Sequence, residues 1–183
     1  MLVDSHCHLD RLDLSKNNNL SELINTAHKA DIGHMLCVSI DLESYPEMLA
    51  AVESQKGVSV SVGVHPCDDD RREPTVDELV ELAKHPKNVA IGETGLDYFR
   101  VEGDLEWQRE RFRTHIRAAK IAKKPLIIHT REAREDTIRI LQEEGAAEVG
   151  GVMHCFTETW EMAQAAMELG FYISFSGIVT FKN

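Results

Sequence analysis

The strongest constraint on the fold is a rhythm. Seven short apolar runs recur along the chain, at 2–8, 32–40, 58–64, 88–93, 126–129, 151–154 and 171–176. Each of the first six is followed by a stretch whose apolar residues have helical spacing, at 20–30, 44–55, 75–84, 105–123, 132–144 and 160–169. Ser44-x-x-Glu47, with Pro46 between them, and Thr75-x-x-Glu78 have the form of capping boxes, and Gly57, Gly145 and Gly170 mark helix ends. Strands alternating with helices in this way indicate βαβ units around a parallel sheet. Six complete units and a seventh strand predict an α/β fold of the TIM (β/α)₈ barrel type. A doubly wound sheet fits less well, because no G-x-G-x-x-G follows the first strand. In a barrel the C-terminal ends of all strands open on one face, where the chemistry sits.

Other stretches read as structural. Asn17-Asn18-Asn19 breaks the pattern after the first run, and the charged segment 68–73 reads as a solvated loop. In the long fourth helix Phe112, Ile116, Ala119 and Ala122 form a narrow stripe for burial, most of its basic residues fall on a solvated face, and His115 reads as structural.

With 183 residues, 43% of them hydrophobic, the chain is expected to form a single domain over 1–183. No run of 18 apolar residues is present, and Asp4 and His6 interrupt any signal-peptide pattern, so the expectation is a cytoplasmic protein away from membranes. Cys7, Cys37, Cys67 and Cys155 are widely spaced and lack a C-x-x-C pair, which predicts reduced thiols. The net charge of −11 argues against a broad nucleic-acid footprint, though not against a local metal-centred phosphate site. No obligate protein partner is evident.

The runs end on metal-ligand side chains. His6 and His8 close the first, and if that run is a strand their side chains share one face. Alone they could be a hydrogen-bonded pair. However, His65 follows the third run, and Glu93, His129 and His154 end the fourth, fifth and sixth. Parallel strands bring all of these to one mouth. Four imidazoles and a carboxylate exceed the needs of one open tetrahedral ion but can begin a pair. The expected arrangement places one dication on His6 and His8 and a second on His129 and His154, with Glu93 spanning both; Glu93, His129 and His154 are then also the catalytic residues. His65 is placed near the site, outside the ligand set. Asp97 either orients a water or ligand, or is a loop aspartate in a turn beside Gly95. Arg131 either holds a phosphate or pairs with Glu132 or Glu135. The donor set suits Zn²⁺ or Mn²⁺, whereas Mg²⁺ prefers oxygen ligands.

Five segments together resemble the TatD family of metal-dependent deoxyribonucleases. They are Val-Asp-Ser-His-Cys-His-Leu-Asp at 3–10, Val-Gly-Val-His-Pro at 62–66, Ile-Gly-Glu-Thr-Gly-Leu-Asp-Tyr at 91–98, Lys-Pro-Leu-Ile-Ile-His-Thr-Arg at 124–131 and Met-His-Cys-Phe-Thr at 153–157. Phe-Tyr-Ile-Ser-Phe-Ser-Gly at 171–177 also fits. The resemblance implies a TIM-barrel hydrolase of the amidohydrolase group, usually described as Mg²⁺-dependent, that cleaves phosphodiesters at DNA strand ends, often the 3′ end. It implies the same ligand set. It also implies an eighth strand ending in a Glu-Thr-Asp-Ser-Pro-like segment, which is missing before Asn183, so a barrel truncated at its C-terminus with unpaired edges on strands one and seven is expected. Two other readings stand beside it, a lactonase or cyclic amidase of the same superfamily and an inactive fragment. Many barrels of the former kind carry a carboxylated lysine on strand four, where this chain has Glu93.

Overall fold

The structure is a computed structural model that describes residues 1–14, 19–67 and 71–182. The break at Asn17 and Asn18 and the charged loop at Asp68, Asp69 and Asp70 lie outside the described residues. Seven strands run in chain order as one parallel sheet: β1 (Leu2–Cys7), β2 (Ile32–Cys37), β3 (Val58–Val62), β4 (Asn88–Asp97), β5 (Leu126–Arg131), β6 (Gly151–Met153) and β7 (Phe171–Ile173). Six helices connect them: α1 (Leu20–Lys29), α2 (Tyr45–Val52), α3 (Val76–Ala83), α4 (Glu106–Ala122), α5 (Arg134–Glu143) and α6 (Trp160–Glu168). An eighth strand is not found among the described residues, and β1 and β7 are the two outer strands. Their side chains include exposed Leu2, Val3 and Tyr172.

The sheet is strongly curled. In a flat sheet β1 and β6, five spacings apart, would be separated by roughly 24 Å. Instead His6 near the end of β1 stacks on His154 just after β6, with ring centroids 3.4 Å apart. The main core fills the space between the outer face of the sheet and the helices, where Val60, Val62, Leu79, Ile91, Phe112, Ile116, Ile128, Ile140 and Leu141 are buried. A smaller cluster of Val38, Ala90 and Ile127, with Leu36 and Val152 against it, lies apart from that core. No helix among the described residues is long and apolar enough to cross a membrane.

Local chemistry explains most boundaries. Asn19 and Thr75 accept hydrogen bonds from the Glu22 and Glu78 backbone N–H groups and so start α1 and α3. The capping box expected at Ser44 does not form. Ser44 is already helical, and its backbone N–H and hydroxyl both donate to Asp41 Oδ1 at 2.6 Å. α5 begins at Arg134 rather than 132, because Glu132 sits at φ +53°, outside the helical region. β4 runs four residues past its expected end at Glu93. α4 buries a wider face than expected, including Gln108, Arg111 and His115 beside its apolar residues. The prediction of a solvated basic face needs correcting there. Arg111 is buried and chelates Glu73, while Arg113 and Arg117 reach across to Glu143 and Glu144.

A candidate metal centre at the strand ends

β1 ends at Cys7, one residue earlier than expected, and His8 starts a short 3₁₀ turn over Leu9–Arg11. His6 and His8 still meet, with ring centroids 5.1 Å apart and edge to face. The Nδ1–H of His8 donates to the Val38 carbonyl at 2.9 Å, which leaves Nε2 as the lone-pair donor. His6 Nε2 is 3.3 Å from Glu93 Oε2, and its buried Nδ1 has no hydrogen-bond partner among the described residues.

Glu93 reaches the site through a bulge. Ile91 pairs with Leu126 and Thr94 with Ile128, so β4 carries one extra residue there, and the peptide from Gly92 to Glu93 is cis. Glycine is required on both sides of this kink. A Cβ at Gly63 would stand 2.6 Å from the Gly92 backbone, and one at Gly95 (φ +141°) would overlap the His129 carbonyl oxygen. Glu93 is 4% exposed. Burial would raise its pKa, but hydrogen bonds from His129 and His6 outweigh that and hold it well below the carboxylate range.

On the other side of Glu93, His129 Nδ1 lies 3.5 Å and His65 Nε2 3.7 Å from Oε1. These two nitrogens are 3.2 Å apart. His129 Nε2 is 2.8 Å from Asp97 Oδ2. Burial depresses the His129 imidazole, yet the Asp97 and Glu93 carboxylates prevail and raise it to about 9. Asp97 is therefore neither a loop residue nor free. It closes β4, is locked at its backbone by a pair of hydrogen bonds with the Gln108 side chain, and orients His129. His154 follows β6, and its ring lies 9° from parallel to that of His6. Burial and then the neighbouring His6 push it down to about 4, so it is neutral near pH 7.

Among the described residues two sets of side chains each bring their donor atoms within 4.8 Å of one another, His6, His8 and Glu93 in one set and His65, Cys67 and His129 in the other. His154 belongs to neither set, and it packs against His6 rather than beside His129. Cys67 is the site residue that the sequence reading missed. Its thiol donates to Asp97 Oδ2 at 3.3 Å. The available signal was its spacing from His65, which repeats that of His6 and His8. Arg131 lies at the rim and makes neither expected ion pair; its guanidinium stands over the Phe99 ring instead. His115 lies outside the site, buried in α4, where Nε2 accepts from the Val64 N–H and Nδ1–H donates to the Arg111 carbonyl.

The donor set fits divalent metal. A buried anionic carboxylate with each oxygen turned to a different group of imidazoles, one ring held by a backbone carbonyl and another by a carboxylate, is the chemistry of a metal cradle. Fold and site together define a barrel-type metal-dependent hydrolase. The chain belongs to the TatD related DNase family, whose profile matches residues 3–183. It is 45% identical over its whole length to YcfH of Escherichia coli strain K12, named as an uncharacterized metal-dependent hydrolase, and covers 69% of that protein. It is 31% identical to the 3′-5′ ssDNA/RNA exonuclease TatD of Escherichia fergusonii over 86% of this chain and 61% of that one. Among solved structures, the E. coli TatD homolog YJJV superposes with a TM-score of 0.85 at 26% identity, covering 98% of this chain and 70% of that one.

Proposed function

We propose that the protein is a nuclease that hydrolyses phosphodiester bonds at the ends of DNA strands, with 3′-to-5′ polarity, using two divalent ions. The observation that carries this reading is the orientation of Glu93. Oε2 faces His6 at 3.3 Å while Oε1 faces His129 at 3.5 Å, as a bridging carboxylate requires. His6 and His8 would hold one ion and His129 the other, with Glu93 shared, and His154 would join His129 by turning out of its stack on His6. A dication pair bound there supplies polarisation of a phosphoryl oxygen and a water acidic enough to attack in line at neutral pH. Asp97 fixes the His129 ring, and His65 stands at hydrogen-bond distance from the same ring, beside the ligand set. The exonuclease name of the E. fergusonii relative supports DNA or RNA ends as the substrate. The net charge of −11 is compatible, because binding a strand end needs few phosphate contacts.

The test is a substrate panel with Mn²⁺, Mg²⁺ or Zn²⁺ added. Single-stranded oligodeoxynucleotides labelled at the 5′ end should shorten progressively from the 3′ end, and chelation should stop the reaction. Turnover of lactones or cyclic amides with none of DNA would reject this reading.

A further inference from the structure

Every arginine except two is within ion-pair distance of a carboxylate among the described residues. The exceptions are Arg100 and Arg131. Both stand over one ring, with Arg131 Cζ 3.5 Å and Arg100 Cζ 4.6 Å from the centroid of Phe99. Both are exposed and Phe99 is half-buried. In so acidic a chain, two cations gathered at one aromatic ring, neither within ion-pair distance of a carboxylate among the described residues, form an arrangement that an anion completes. A guanidinium that stacks its face on a ring keeps its in-plane N–H fork for phosphate oxygens. Arg100 is held there at φ +57°, a conformation uncommon for a residue with a side chain.

Position gives the group its meaning. Asp97 and Arg131 are register partners at the ends of β4 and β5, and Phe99 follows Asp97 by two residues, roughly 7 Å of extended chain. Asp97 is the residue that orients His129.

We propose that Arg100 and Arg131, positioned by Phe99, form a phosphate clamp for single-stranded nucleic acid, holding a backbone phosphate next to the one being cleaved. The clamp deepens the nuclease reading and rests on it for the identity of the strand. Arg100 and Arg131 touch the phosphate; Phe99 is a positioning residue.

Binding of a fluorescent single-stranded oligodeoxynucleotide to the metal-free protein, followed by anisotropy across a salt series, tests the clamp. Arg100→Gln should weaken binding and lower the slope of log Kd against log salt by about 0.7, the counterion release expected for one lost contact to a single strand. Phe99→Leu should lower affinity several-fold, and Phe99→Trp should restore it, because a structural filler needs bulk but a guanidinium platform needs a π face. An unchanged slope in Arg100→Gln, equal binding by the Leu and Trp variants, or no binding by the wild type overturns the clamp. Hydrolysis of bis(p-nitrophenyl) phosphate with Mn²⁺, measured separately on the wild type, is too small a reaction to need the clamp. Its failure counts against the metal centre alone.

Discussion

The imidazole of His154 lies flat on that of His6, 3.4 Å away, although the two residues come from opposite parts of the sheet. The stack both joins β1 to β6 and keeps His154 neutral, with its pKa at about 4 through burial and then the adjacent His6. These roles separate by substitution. His154→Phe should keep the ring contact and the thermal midpoint while lowering Mn²⁺ affinity by roughly tenfold or more, and His154→Ala should lose both. Titration calorimetry and thermal melts report the two quantities. Wild-type metal binding in the Phe variant would remove His154 from the ligand set.

Glu93→Ala should abolish binding of both ions and hydrolysis together, since one carboxylate faces both groups of imidazoles. Metal analysis after equilibrium dialysis gives the stoichiometry directly. A variant that still retains two ions when replete would show that Glu93 does not bridge.

Gly95 faces the His129 carbonyl so closely that a methyl group has no room, and its φ of +141° suits only glycine. Gly95→Ala should cost more than about 3 kcal/mol in urea unfolding. Gly177→Ala, where nothing lies within 4 Å, should stay within about 0.5 kcal/mol of the wild type. Similar losses at both positions would contradict the packing of β4 on β5.

His115 gives a pH dependence of stability whose sign follows from its burial. Its folded pKa is lowered to about 4, below the ordinary 6.5, by desolvation. The unfolded chain therefore binds the proton more readily between those values. His115 contributes stability that is fully present above pH 6.5 and is lost as the pH falls towards 4, in total roughly 3 kcal/mol. Urea midpoints between pH 7 and 4 should fall less steeply in His115→Gln than in the wild type.

Which parts of this molecule can be read from sequence follows from how local their causes are. The strand and helix order and the capping of α3 by Thr75 follow from periodicity and near-neighbour hydrogen bonds. His6, His8, Glu93 and His129 were legible because they close apolar runs, and a parallel sheet sends all such ends one way. The bulge at Glu93 was not legible: its extra residue is defined only against β5 across the sheet. Nor was Arg111, whose charge matches a solvated helix face while its partners, Glu73 and the His65 carbonyl, lie far away in the chain. His154 closes an apolar run as those residues do, but its contact with His6 was not legible, because it exists only once the sheet has curled.

That buried Arg111 couples the shell of the molecule to its reactive rim. Its guanidinium donates to the backbone carbonyl of His65 at 2.9 Å and stands over the Trp107 ring of the same helix. It acts as a tie-rod: any slide or tilt of this helix pulls on the loop carrying His65 and Cys67. The spacing of imidazoles around the Glu93 carboxylate is thereby set partly by packing on the far side of the sheet, and distant substitutions in α4 can shift those side chains without touching them.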